Sequence, residues 1–171
     1  MGVPRFPFFK PLVSSLRAVD GKVIDWMRRH GVPMLQIALA VIFVWFGALK
    51  TFGASPADDI VRRTVYWFSP DVFVPLLGIW EMVIGVCLLF RPLLRVGLLL
   101  LFLQLPGTFL PLIVLPKVCF TQFPFGLTME GQYIVKNLLI IGAALVVGGS
   151  MHALKMRPEP TVSGRPPRGG A

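Results

Sequence analysis

The sequence predicts an all-α integral membrane protein, a bundle of four transmembrane helices with both termini on the cytoplasmic side. The chain is 55% hydrophobic and 15% charged, with a mean hydropathy of +0.74, which leaves too few polar residues to cover a soluble domain. Its apolar residues form four blocks, each long enough to cross a hydrocarbon core of roughly 30 Å. Basic residues concentrate in segments that four crossings place on one side of the bilayer.

Residues 1–32 are predicted to form a basic amphipathic segment on the cytoplasmic side. Between Leu12 and His30, apolar residues recur at steps of three and four, which predicts a helix lying on anionic lipid at the membrane surface. Span one is predicted over about 33–52, because the run of 19 residues from Gly31 to Leu49 is uncharged. Pro33 suits the first turn of this span.

A short external helix is predicted after span one. Ser55-Pro56-Ala57-Asp58-Asp59 places a capping residue, a proline and two acids in the order typical of a helix start. This helix is expected to continue to Phe68 with an aromatic face at the outer interface. Asp71 is then expected to cap span two, which is predicted over about 72–90.

Span three is predicted over about 93–115. Val96 to Pro116 is an uncharged run of 21 residues, and a hydrocarbon core needs about 20. Pro106 and Pro111 lie within it, and they predict a kink or a break in the helix.

Three segments complete the chain. Residues 116–130 form an outer loop whose phenylalanines are expected to fold back onto the mouth of the bundle. Span four is predicted over about 131–151. The basic tail, residues 152–171, is rich in proline and glycine and is predicted to be disordered.

The basic residues set the predicted orientation. The net charge is +9, which in a soluble protein would suggest nucleic-acid binding. The sequence contains no nucleic-acid-binding motif, and a nucleic acid is not expected as a partner. Three basic residues fall in the outer loops, namely Arg62, Arg63 and Lys117. Twelve fall on the opposite side, namely Arg5, Lys10, Arg17, Lys22, Arg28, Arg29, Arg91, Arg95, Lys155, Arg157, Arg165 and Arg168. The positive-inside rule therefore places both termini in the cytoplasm.

A few polar residues lie inside the predicted spans. A lone charge near the membrane centre costs about 2.5–3.5 kcal/mol, so such groups face the bundle interior and pair. Glu81 shares a helix face with Gly78 and Gly85, where a neighbouring helix can approach closely. We therefore expect Glu81 to point inward, toward Lys50 or Lys136.

Two interpretations of this charge cluster are open at this point. It is either a structural ion pair that sets helix register, or a proton-titrating and ligand-anchoring site with Glu81 as the candidate proton-exchanging residue. Trp80, like Trp45 and Trp67, either stacks on a flat ligand or anchors and packs the helices. The candidate ligand-binding residues are Lys50, Trp80, Glu81, Gln104, Lys136 and Asn137, of which Gln104 and Asn137 are expected to form hydrogen bonds between helices.

The two cysteines indicate neither a metal site nor a disulfide. Cys87 and Cys119 are predicted near opposite faces of the membrane, about 30 Å apart, which is too far for a disulfide. Cys119, on the outer side, is either a packing residue or a redox or partner-linked thiol. His30 and His152 are too isolated to predict a metal site.

The chain resembles the DoxX family of membrane proteins over about residues 33–150. The resemblance rests on the order and spacing of five stretches, Phe46-Gly47-Ala48-Leu49-Lys50, Ser55-Pro56-Ala57-Asp58-Asp59, Leu77-Gly78-Ile79-Trp80-Glu81 with Gly85, Gly107-Thr108-Phe109-Leu110-Pro111, and Glu130-Gly131-Gln132-Tyr133-Ile134-Val135-Lys136-Asn137-Leu138. It implies a four-helix bundle in a bacterial inner membrane. It also implies a role in quinone-linked thiosulfate oxidation or in complexes that resist oxidative stress.

Three functional hypotheses follow. The first is a membrane subunit of a redox or oxidative-stress system that binds a quinone or another small apolar ligand, working with a soluble redox enzyme or as a homo-oligomer. No cofactor fingerprint or paired-cysteine motif is present in the sequence, which favours a subunit over a self-sufficient oxidoreductase. The second is a small transporter or permeability factor. The third is a membrane scaffold that recruits a soluble enzyme through its basic cytoplasmic segments.

Overall fold

The computed structural model describes the backbone of residues 9–153 and the side chains of residues 20–151. The predictions for residues 1–8 and for the tail from residue 154 lie outside this part of the chain. Within it, four helical segments are long and apolar enough to cross a membrane, namely Asp20–Thr51, Pro70–Leu89, Arg91–Val114 and Met129–Met151. These four helical segments are compatible with the predicted multi-pass membrane protein, and three of them lie within about two residues of the predicted spans.

The described chain contains seven α-helices and one small hairpin. A single 3₁₀ turn, Arg91–Leu93, joins the second and third spans. The elements in order are α1 (Phe9–Thr51), α2 (Asp58–Thr64), α3 (Pro70–Leu89), α4 (Leu94–Val114), α5 (Pro116–Cys119), β1 (Phe120–Gln122), β2 (Gly126–Leu127), α6 (Met129–Val135) and α7 (Asn137–Ala153).

The interface between α1 and α3 is the most extensive between helices of the described chain. The two helices run antiparallel, with Gly47 against Gly78 and Ala40 against Gly85. A methyl group added at Gly78 would lie 2.6 Å from the Gly47 carbonyl oxygen, so the backbones touch at this point. The predicted role of Gly78 and Gly85 in close helix approach is therefore confirmed.

Helices α4 and α7 complete the bundle around one apolar core. Ala144 and Val147 of α7 are fully buried, as are Ile84 and Leu88 of α3. The other buried members of this core are Leu39, Ala40, Leu94, Leu98, Leu101, Leu105 and Ala143. The buried positions of α7 include the small residues Ala143 and Ala144, a residue type common where membrane helices pack.

Helix α1 differs from its prediction at Pro33. The prediction starts a span there, but α1 is one helix of 43 residues with Pro33 inside it. Proline removes a single backbone hydrogen bond, to the carbonyl of Arg29, and the neighbouring turns are good enough helix formers to continue past it. At 1.5 Å per residue, α1 is about 64 Å long and extends well beyond a hydrocarbon core.

The starts of α2 and α3 also correct the prediction. Ser55 accepts a hydrogen bond from the Ala57 amide at 3.2 Å, but α2 begins three residues later, at Asp58. It ends at Thr64 and does not reach Phe68. Asp71 lies in the first turn of α3, where it pairs with Arg62 at 2.6 Å and does not cap the helix.

A kink or break was predicted in the third span alone, but the interrupted span is the fourth. Helix α4 is continuous through Pro106 and Pro111, so the break expected there is absent. The fourth span is interrupted instead, because α6 ends at Val135 and α7 starts at Asn137, with Lys136 in a turn between them. The backbone hydrogen bond from Leu139 to the Lys136 carbonyl, at 3.0 Å, tightens the chain at this point.

The outer loop is more ordered and more exposed than predicted. It contains α5 and an antiparallel hairpin in which Phe120 pairs with Leu127. Phe123 and Phe125, at the tip of this hairpin, are 76% and 92% exposed. The expectation that they fold back onto the bundle mouth is wrong, because the short strands carry the tip away from the helices.

Candidate functional site

Helices α1 and α3 bring the two opposite charges of the predicted site together. Lys50 is the next-to-last residue of α1, and α1 ends against Gly78 of α3. Glu81 lies about one turn further along α3, on the same face as Gly78. The ammonium of Lys50 donates a hydrogen bond to Glu81 Oε2 at 2.6 Å. Each of these residues is only 8% exposed, so this is a buried ion pair.

Gln104 of α4 supplies the third member of the site. Its Nε2 donates a hydrogen bond to Glu81 Oε1 at 2.8 Å, so both carboxylate oxygens are engaged. A carboxylate only accepts hydrogen bonds, and this fixes which end of the Gln104 amide faces it. We call Lys50, Glu81 and Gln104 the buried triad. It joins α1, α3 and α4, and the interhelical role predicted for Gln104 is confirmed.

The buried triad has hydrogen-bonding groups that no described residue pairs with. Gln104 Oε1 is buried and has no hydrogen-bond partner in the described part of the chain. Lys50 carries three N–H donors, and within residues 20–151 its ammonium has Glu81 as its hydrogen-bond partner. The site therefore presents one free acceptor and further donors to any polar group that enters it.

Lys136 and Asn137 are not part of the triad. Lys136 is exposed in the turn between α6 and α7, with its ammonium 5.1 Å from the centre of the Tyr133 ring. Asn137 donates to the carbonyl of Tyr133 at 3.4 Å, one turn earlier in its own segment, so the expected hydrogen bond to another helix is not formed. The choice between Lys50 and Lys136 as the partner of Glu81 is thus decided for Lys50.

The tryptophans lie on the outside of the bundle. Trp80 precedes Glu81 in α3 and is 37% exposed, because successive helical side chains point about 100° apart. Trp45 is 67% exposed and Trp67 is 57% exposed. This exposure is that of residues that pack against lipid or anchor at its interface.

One intramembrane polar residue was missed by the sequence analysis. Gln36 of α1 donates a hydrogen bond to the Leu88 carbonyl at 2.6 Å, at the end of the α1–α3 interface opposite to Lys50 and Glu81. The sequence could have indicated it, because Gln36 is a polar residue inside the uncharged run that predicts span one. Gln36 and the triad therefore tie the same two helices at opposite ends.

A groove of about 440 Å³ runs along α1 with an entirely apolar lining. It is lined by Ala40, Val41, Val44, Trp45, Ala48, Leu49, Phe52 and Leu89. Ala48 and Lys50 are two residues apart and so point about 200° apart around the helix. The groove thus faces away from the buried triad and does not open onto it.

Both cysteines are buried and free. The Cys119 thiol donates to the Pro111 carbonyl, with 3.5 Å between sulfur and oxygen. Burial raises the pKa of this thiol, and the negative charge of Glu130 adds to the effect. Because the thiolate is the reactive form, this environment favours a packing role for Cys119 over a redox role.

The described residues contain no group of three histidine, cysteine, aspartate or glutamate side chains placed to hold a metal ion. Comparison of the chain with models of protein families, with curated proteins and with solved structures finds no match.

Proposed function

We propose that this chain is a multi-pass protein of a bacterial inner membrane whose buried triad binds a lipophilic ligand of the quinone class, as part of a redox or oxidative-stress system. The observation that carries the proposal is the buried oxygen of Gln104 without a partner. The resemblance to the DoxX family supports the class of ligand. Both termini are proposed to lie in the cytoplasm, on the strength of the charge distribution.

An ion pair that only sets helix register needs no unpaired acceptor beside it. An unsatisfied buried polar atom costs about 1–3 kcal/mol, so its presence calls for a partner that completes it. A ligand hydroxyl can donate to Gln104 Oε1, and a ligand carbonyl can accept from the Lys50 ammonium. A quinone would offer a carbonyl to Lys50 when oxidised and a hydroxyl to Gln104 when reduced, and so would match one group in each redox state.

The roles of the three residues follow from their atoms. A quinone supplies coupled electron and proton transfer when it is bound. Lys50 holds a carbonyl oxygen, Gln104 orients a hydroxyl, and Glu81 can take up or release a proton at a carboxylate oxygen. Because Lys50 and Glu81 are each 8% exposed, a ligand reaches them only when α1, α3 and α4 separate locally.

The proposal is tested by binding of a short-chain quinone to the purified protein in detergent. Trp80 adjoins Glu81 and reports binding through quenching of its fluorescence, which Trp80→Phe should remove. We expect Gln104→Leu and Glu81→Gln each to weaken binding by roughly tenfold or more, a loss of about 1.5 kcal/mol. Gln104→Leu removes the free acceptor, and Glu81→Gln removes the negative charge that holds the Lys50 ammonium and the Gln104 amide in place.

The matched control is Gln36→Met, which removes a polar contact from the same helix pair at its other end. It should leave the affinity unchanged while lowering stability. The proposal fails if Glu81→Gln yields a folded protein with the parental affinity, and also if the parent does not bind.

Recruitment of a soluble partner is a second candidate, favoured by the N-terminal part of α1. Residues 20–31 are exposed throughout and include four large apolar side chains, Val23, Ile24, Trp26 and Met27. A photo-cross-linking residue at Trp26 should capture one discrete protein in native membranes, whereas the same residue at Val146, an exposed site of α7, should capture none. Equal results at both positions would remove this candidate.

A further inference from the structure

We propose that the tip of the β1–β2 hairpin is a membrane-binding element that inserts Phe123 and Phe125 into the interfacial layer of the outer leaflet. This role is independent of any ligand at the buried triad. The partner is lipid, as the level of the hairpin, its length and its chemistry indicate.

The level of the hairpin follows from the contact between α3 and α4. Gln104 meets Glu81, which places these two residues at the same depth. Helix α4 ends at Val114, about 15 Å further out, and α3 begins at Pro70, about 16 Å further out. The two ends are therefore level, and the hairpin emerges where the spans leave the hydrocarbon.

The length of the hairpin keeps its tip near that boundary. Strand β1 has three residues and β2 has two, so the stem that carries the tip is about 7–10 Å long. The interfacial layer beyond the hydrocarbon is about 5–8 Å deep on each side. A tip on so short a stem stays within reach of this layer.

The chemistry of the tip suits lipid. Phe125 is 92% exposed and Phe123 is 76% exposed, and the chain carries no charge between Lys117 and Glu130. Phe123 is braced by an edge contact with Phe120, whose ring centre is 5.2 Å away. An uncharged tip with two bare phenyl rings is poorly suited to water and well suited to the membrane interface.

A second aromatic patch favours lipid over a docked protein. Tyr66, Trp67 and Phe68 are 76%, 57% and 55% exposed in the connection between α2 and α3, just before the outer end of α3. Two uncovered aromatic patches on separate outer connections are typical of the aromatic belt with which membrane proteins meet lipid.

The test measures the depth of a nitroxide label on the full-length protein, reconstituted alone in phosphatidylcholine vesicles. Phe125→Cys and Phe123→Cys are labelled singly, with Asp59→Cys as the matched outer control because the Asp59 side chain is 73% exposed and charged. Both native cysteines are buried, and the unsubstituted protein gives the labelling background. We expect oxygen to relax the hairpin labels more than a water-soluble nickel complex does, and the reverse order at Asp59→Cys.

Hairpin labels that are as accessible to the nickel complex as the Asp59→Cys label would overturn the proposal. That same result would arise if the tip docks onto a partner protein, since no partner is present in these vesicles. Phe125 and Phe123 are so exposed that substituting either one leaves the packed bundle intact. The two labelled positions should give the same result, so each is a control for the other.

Discussion

At the residue scale, the Lys50–Glu81 pair shows how a membrane bundle accommodates charge. Each ion alone would be costly in hydrocarbon, but together, and with Gln104, they satisfy both carboxylate oxygens. A buried pair adds little net stability compared with apolar residues of the same volume. Its main energetic consequence is that neither partner can be removed alone.

Removing one charge should therefore cost more than removing both. Lys50→Met leaves Glu81 buried without its cation, and we expect stability to fall by about 3–5 kcal/mol. The double variant Lys50→Met/Glu81→Met should recover part of this loss. Thermal unfolding in detergent measures both. The matched surface control is Asp71→Ala, which breaks the exposed pair with Arg62 and should cost about 1 kcal/mol or less. Equal losses from Lys50→Met and Asp71→Ala would contradict the buried pair.

The Cys119 thiol should resist alkylation in the folded protein. The pKa of this thiol is raised in the folded protein. At a pH where an exposed thiol has already ionised, Cys119 therefore keeps its proton in the folded state and loses it in the unfolded state. The unfolded state then binds fewer protons than the folded state, and this group lowers stability as pH rises through the pKa of the unfolded thiol. Maleimide labelling of a Cys87→Ala variant should be slow at pH 8–9 and fast in denaturant. Rapid labelling of the folded protein would show that the thiol is accessible.

At the element scale, the α1–α3 interface depends on glycine. Gly47 and Gly78 allow backbone contact, and this contact places Lys50 opposite Glu81. A wider helix separation would leave the lysine unable to reach the carboxylate. The glycines thus determine the geometry of the triad as well as the packing.

Gly78→Val should separate the two helices and lower stability by about 1–3 kcal/mol or more, because its Cβ would lie 2.6 Å from Gly47 and Thr51 oxygens. Gly142→Ala in α7 is the control, since no atom lies within 4 Å of an added methyl group there, and it should be neutral or stabilising by about 0.5–1 kcal/mol. Thermal unfolding again provides the measurement. If both variants melt alike, the close approach is not needed.

At the scale of the whole molecule, the four spans and the charge distribution predict one topology. The outer connections are those between α1 and α3 and between α4 and α6, and the inner connection is the turn at Arg91–Leu93. The connection of residues 52–69, which follows Lys50 in the chain, then faces away from the cytoplasm.

Single cysteines should report this topology in intact cells. A membrane-impermeant maleimide should label Asp59→Cys and Lys117→Cys from outside, because both positions are exposed in the outer connections. Arg28→Cys and Arg95→Cys should be labelled only after permeabilisation. Labelling of Arg28→Cys and Arg95→Cys in intact cells, with Asp59→Cys and Lys117→Cys labelled only after permeabilisation, would show that the topology is the opposite of the predicted one.

The spans were predictable because spanning a bilayer is a local requirement. About 20 consecutive apolar helical residues are needed, and such runs are visible without any knowledge of contacts. Local reasoning failed at Pro33, where the helix continues through the proline, and the break that it allowed at Pro106 or Pro111 does not occur. Local reasoning failed again at Lys136, where a turn interrupts an apolar run that contains no proline.

The sequence by itself determined that four segments are long and apolar enough to cross a membrane and that Glu81, lying in one of them, needs a partner, since hydrocarbon imposes both demands on any chain. Only the tertiary structure decided that the partner is Lys50, that Gln104 completes the site with one oxygen free, and that the hairpin tip is bare. These facts depend on the rotation and relative depth of helices far apart in the chain. Backbone contact at glycines sets both, and hydropathy does not encode them.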